Sequence, residues 1–106
     1  KMGKFLKASC KCGYTKSHLN FGHGMYNYEN FGVPCLVLDS FEVCSSDITK
    51  INKNIDVLFY NNSLLQDKKQ RSSTIFFRDI TLQNNGNFCP KCCNYDLSFS
   101  LGLIYD

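Results

Sequence analysis

Cys10-Lys11-Cys12-Gly13 near the start of the chain and Cys89-Pro90-Lys91-Cys92-Cys93 near its end decide how this sequence is read. Each stretch offers two closely spaced thiols, and a tetrahedral metal ion is usually held by two such pairs presented on tight turns. Gly13 follows the second thiol of the first pair, where a left-handed backbone lets successive N–H groups turn toward sulfur. Pro90, inside the second pair, stiffens the turn that points both sulfurs inward. Cys10, Cys12, Cys89 and Cys92 are therefore the expected ligands of one metal ion. Zinc is the expected ion, with iron as the alternative because four thiolates suit both.

The chain of 106 residues reads as one domain, residues 1–106, small enough for a metal clip to matter to its stability. Trp is absent, so nine Phe and six Tyr must supply the large apolar area of the core. A formal charge of +3, spread along the chain, gives only weak support to a polyanionic partner. The sequence contains no apolar stretch of membrane-spanning length and no secretory leader pattern, so a cytoplasmic protein without a membrane partner is expected. In a reducing compartment the seven cysteines are better read as ligands and packed thiols than as disulfides. Cys35, Cys44 and Cys93 lack pair spacing and are expected to be small buried hydrophobes.

Working outward from the first pair, residues 1–9 read as an extended strand and residues 14–21 as the strand that leaves the knuckle. Phe21-Gly22-His23-Gly24-Met25 reads as a glycine-rich turn. Tyr26, Tyr28 and Phe31 form an aromatic cluster expected to pack in the core, with a stacking platform for bases as the rival reading. Residues 35–44 give the strongest strand signal and are placed at the centre of a sheet. Residues 46–54 read as a turn, 56–60 as a strand, and 63–73 as a short helix or loop whose basic cluster is a solvated face. A β-rich run over 74–82 leads through an Asn-Gly turn at 83–87 to the second knuckle, and residues 97–101 alternate as a strand that 103–105 extend.

His18 and His23 are rival ligands, yet four paired cysteines already fill a tetrahedral site. Gly22-His23-Gly24 lacks the further glycine and the Lys-Ser/Thr of a phosphate loop. Four thiolates leave no open coordination position, and no motif places a free cysteine beside a histidine, so an enzyme is not the expected reading.

The stretch from Gly3 to Tyr14, then Gly22-His23-Gly24, then Cys89-Pro90-Lys91-Cys92, resembles a group of small uncharacterised bacterial proteins with zinc-ribbon or rubredoxin-like knuckles. The resemblance implies a fold and no activity. Members of that group often carry a further Cys-x-x-Cys pair after the glycine-rich turn, which Cys35 and Cys44 are too far apart to match, and Cys93 stands where a second knuckle usually has glycine. The expected fold is mainly β: a small, single-domain, zinc-ribbon-like antiparallel sheet with two metal knuckles and long irregular loops.

Two functions from different classes remain. In one, the metal holds the sheet, and an exposed strand edge or aromatic turn meets another protein. In the other, Lys7, Lys11, Lys16 and Lys91 gather around the knuckles and contact nucleic acid. Four thiolates on a divalent ion carry net negative charge that nearby lysines also offset, and the overall charge excess is small, so the interaction module is preferred.

Overall fold

Leu6 and Ala8 alternate with exposed Lys7 along β1 (Gly3–Cys10), and both are fully buried, which is the period-two pattern of a strand with one face in the core. A computed structural model describes residues 3–23, 31–49, 56–70, 72–77 and 80–105 of the chain. β2 (Thr15–His23) returns antiparallel to β1, with Leu6 opposite Leu19 and Ala8 opposite Lys16. The extra residue of this β-bulge lies on β2, where His18 takes a φ of 61°. The bulge lets Leu19 and Phe21 face the core while His18 stays exposed.

β3 (Phe31–Val37) is an interior strand, second from one edge of the sheet rather than at its centre, where residues 35–44 are expected, and is buried along most of its length. It pairs with β4 (Glu42–Asp47) on one side, and on the other with the end of β2 and with β5 (Val57–Phe59). β8 (Leu97–Tyr105) lies against β1 at the far side, giving the antiparallel order β4-β3-β2-β1-β8. β6 (Thr74–Phe77) and β7 (Ile80–Gln83) form a separate two-stranded ribbon. The protein is mainly β, and among the described residues its helical structure is a single 3₁₀ turn, Ser63–Leu65, capped by the Asn62 side chain.

Several boundaries differ from the sequence reading. Residues 35–44, expected as one strand, form a hairpin: the chain turns at Leu38–Phe41, with Asp39 and Ser40 exposed and Phe41 at a φ of 56°. The apolar run had hidden a turn without glycine. Residues 74–82 are likewise two strands rather than one. Phe21, Gly22 and His23 continue β2 instead of turning, while Gly24, Met25, Tyr26 and Tyr28 lie outside the described residues. Ser46 and Asp47 belong to β4. Phe31 is in the core, as its aromatic character predicts.

One buried amide ties the ribbon to the sheet. Asn87 is fully buried; its backbone pairs with Leu97 and Gln66, and its Nδ2 donates to Gln83 O at 3.0 Å and Leu97 O at 3.1 Å. Removing that donor takes a hydrogen bond from Gln83 O and one of the two that Leu97 O accepts, the other coming from the Asn87 N–H at 3.0 Å. Asn87→Ala is expected to cost about 2 to 4 kcal/mol, read as a lowered urea midpoint with unchanged slope. A loss within experimental error of zero would show that Asn87 does not hold the ribbon.

Candidate metal centre

The first knuckle closes the β1–β2 hairpin. Gly13 N–H donates to Cys10 O at 3.0 Å and Cys10 N–H donates to Tyr14 O at 3.0 Å, with Gly13 at a φ of 99°. This is a turn followed by a left-handed residue, the three-residue hairpin loop for which glycine is suited. The loop leaves N–H groups free to face sulfur: that of Cys12 faces Cys10 Sγ, and that of Tyr14 faces Cys12 Sγ. The second knuckle is a wider turn in which Cys93 N–H donates to Cys89 O at 2.8 Å and Cys89 N–H to Asn94 O at 2.9 Å. There the N–H groups of Lys91 and Cys92 face Cys89 Sγ. Both turns thus surround sulfur with donors, the environment that stabilises thiolate.

The two turns meet in a crossed arrangement. Cys10 Sγ lies 3.6 Å from Cys92 Sγ, and Cys12 Sγ lies 3.7 Å from Cys89 Sγ. All four sulfurs fall within 4.8 Å of one another. Metal–sulfur bonds of about 2.3 Å in a regular tetrahedron place neighbouring sulfurs about 3.8 Å apart, so the spacing matches a four-thiolate ion. This cluster can bind a metal ion. The residues that the sequence places in short pairs are those the fold brings together, although they are 77 and 82 positions apart.

The thiols are electrostatically unequal. Burial pushes Cys10 up to about 12 and also raises Cys89, whereas the Tyr14 N–H draws Cys12 down to about 7. Cys12 is the exposed member and Cys89 the buried one, so Cys12 is the thiolate first available near neutral pH.

Two tyrosines position the knuckles, and local sequence patterns gave little warning of either. Tyr14 OH accepts the Val43 N–H at 3.0 Å, fastening the first turn to the free side of β4. Tyr60 is fully buried; its OH donates to Phe88 O at 2.7 Å, immediately before Cys89, and its ring meets Phe99 edge-on at 5.1 Å. Tyr14 is at least adjacent to its knuckle. Tyr60 acts from 28 positions away, where only the fold reveals it.

The remaining candidates divide. Cys35 is buried as expected, and burial holds its thiol up at about 12; Cys44 is half-buried and lies directly opposite it across β3 and β4. Cys93, expected to be buried, is exposed with a φ of 62°: it takes the left-handed position that a glycine usually fills, and its side chain turns outward. Of the two histidines, His18 is exposed and bonded to Ser17 Oγ at 3.2 Å, and the His23 side chain lies outside the described residues. Lys7, Lys11 and Lys91 are exposed, whereas Lys16 is partly spent on Glu42 at 3.3 Å. Lys7 and Lys16 line one shallow hollow with Thr15 and Ser17.

Comparison of the chain with protein-family models, with curated proteins and with solved structures finds no match. Among the described residues no helix is long and apolar enough to cross a membrane.

The backbone at Cys93 yields a test that separates ligand from bystander. Cys93→Gly is expected to stabilise the fold by about 0.5 to 1 kcal/mol, because glycine adopts positive φ without strain, and to leave metal content unchanged. Cys93→Ala, which keeps the strain, should show no such gain. Loss of metal in Cys93→Gly would place Cys93 inside the cluster instead.

Proposed function

We propose that Cys10, Cys12, Cys89 and Cys92 bind one zinc ion that serves as a structural clip, and that the chain is a small zinc-ribbon or rubredoxin-like module for protein interaction. The crossed sulfur distances of 3.6 and 3.7 Å carry the metal part of this reading. The role is structural because four protein thiolates complete a tetrahedral shell and leave no position for water or substrate. Closing so long a loop accounts for only a few kcal/mol of chain entropy, whereas ligation in structural sites is worth on the order of 10 kcal/mol, so the metal bond dominates the clip.

The interaction role is supported by what the clip holds in place. Phe88, next to Cys89, stands between the Phe41 ring at 5.9 Å and the Tyr95 ring at 5.7 Å, and Phe41 and Leu38 project from the β3–β4 turn to solvent. Phe41 also keeps a left-handed backbone that a bulky side chain disfavours, and such strain persists where the side chain has a use. A nucleic-acid role finds support in exposed Lys7, Lys11 and Lys91, but Glu42 already engages Lys16 and the net charge is small. An aromatic patch beside a modest charge favours a protein partner.

Purified protein is expected to contain one zinc per chain by elemental analysis, and a strong chelator or Cys89→Ser should abolish the cooperative unfolding transition. Folded protein with essentially no bound metal would sink the proposal, and a coloured protein with iron in place of zinc would change the ion while keeping the site.

Proton linkage gives a second test. In the metal-free chain Cys10 and Cys89 are raised by burial and hold their protons at neutral pH, while Cys12 titrates near 7. Metal binding must expel those protons, so affinity rises with pH and falls as acid restores them. Competition with a chromophoric chelator should show an increase of more than about tenfold per pH unit between about pH 6 and 8, since two or more protons leave together. A flat profile would exclude four-thiolate ligation.

A further inference from the structure

On the side of the molecule built by the β6–β7 ribbon, a hollow of about 480 Å³ is walled by Gln66, Gln70, Gln83, Thr74, Thr81 and Lys68, among others. Its lining is amide and hydroxyl, and Lys68 is the one charged residue among those described around it. The three glutamines are fixed in the same sense. Gln66 Nε2 donates to Tyr60 O at 2.8 Å, Gln70 Nε2 to Tyr95 O at 2.8 Å, and Gln83 Nε2 to Asn85 O at 3.1 Å. With each amide nitrogen bonded to a backbone carbonyl, each amide oxygen is the atom left to receive a donor. Gln66 Oε1 is fully buried, out of reach of a ligand in the hollow, whereas neither Gln70 Oε1 nor Gln83 Oε1 accepts a hydrogen bond among the described residues.

The ribbon adds an aromatic surface. Phe76 is directly opposite Thr81 across the β6–β7 pair, and it shares a strand face with Thr74, two residues earlier. Phe76 is 65% exposed, more than Phe41 at 41% and far more than the core residues Phe21, Phe31 and Phe99. A flat apolar ring beside oriented acceptors and reversible hydroxyls is complementary to a ligand with many O–H donors and one apolar face.

We propose that this hollow is a binding site for a neutral saccharide, with the amide oxygens of Gln70 and Gln83 accepting its hydroxyls and Phe76 stacking on the C–H face of a sugar ring. Threonine hydroxyls at positions 74 and 81 serve either as donors or as acceptors and fit a sugar's mixed edge. A polyanion is disfavoured: single-stranded nucleic acid wants a cationic track beside its aromatic platform, and Lys68 alone does not make one. The proposal is independent of the metal reading, since none of these residues belongs to the cysteine cluster.

The test uses the protein as isolated, labelled with ¹⁵N and titrated with neutral oligosaccharides of glucose, galactose, mannose, xylose and N-acetylglucosamine, and separately with single-stranded oligonucleotides. At least one oligosaccharide series should shift the side-chain amide signals of Gln70 and Gln83 at millimolar concentration or below. Phe76→Ala and Thr81→Val alter exposed positions and should retain the wild-type spectrum elsewhere; each is expected to weaken that saccharide about tenfold, the scale of one lost stacking or hydrogen-bonding contact. No shift with any saccharide would overturn the proposal. So would shifts that map outside the hollow, full affinity in both variants, or occupation of the hollow by the oligonucleotide alone.

Discussion

Four sulfurs gathered within 4.8 Å impose the constraint on which the rest of this fold depends. Uncompensated thiolates repel one another at such range, and protonated thiols gain little from crowding, so the arrangement makes sense when a cation is the common partner. Everything around the cluster serves that requirement. The β1–β2 hairpin loop supplies one pair, the turn before β8 supplies the other, and Tyr14 and Tyr60 anchor the two turns to β4 and to the core. β1 and β8 are neighbours in the sheet, with Cys10 opposite Leu97, and this pairing carries the two knuckles to the same end.

The cluster was legible in the sequence because its signal is local: short thiol pairs, a glycine after one and a proline inside the other. The strand content was legible for the same reason, through alternation such as Leu6-Lys7-Ala8 and Leu97-Ser98-Phe99. What stayed hidden rests on backbone states that the residue type does not announce. Phe41 and Cys93 both sit at positive φ, and neither type favours it, so a turn passed for strand continuation at 38–41 and an exposed thiol passed for a buried one. Long-range partners were equally invisible, since nothing near Tyr60 points to Phe88.

The two non-glycine residues in left-handed turns invite a common reading with different weights. At Cys93 the strain has no visible compensation beyond a 3.9 Å contact from its sulfur to Pro90 O, so glycine would serve as well. At Phe41 the same backbone cost, of order 1 to 2 kcal/mol, is opposed by an edge-on ring contact with Phe88 of about 0.5 to 1.5 kcal/mol. The near balance means that packing alone barely justifies a phenylalanine there. Its remaining value lies in the exposed part of the ring, which is the ground for proposing the aromatic turn, rather than the lysines, as the surface that meets a partner.

Asn87 connects the β6–β7 ribbon to the second knuckle. Its side-chain nitrogen bonds Gln83 O in the ribbon wall and Leu97 O at the start of β8, and the chain runs from it through Phe88 directly into Cys89. Gln66, opposite Asn87 in the backbone ladder, donates to Tyr60 O, while the Tyr60 hydroxyl donates to Phe88 O. A closed path of hydrogen bonds therefore links the amide-lined hollow to the second knuckle through the buried residues Gln66, Tyr60 and Asn87. Gln66 Oε1 and Asn87 Oδ1 are already buried without partners, so each further bond lost from this network adds another unsatisfied polar group to the interior. The cysteine cluster and the hollow are chemically separate, yet Gln66 bonds Tyr60 O and the Tyr60 hydroxyl bonds the turn that carries Cys89, so order at the cluster bears on the placement of Gln66 in the wall of the hollow.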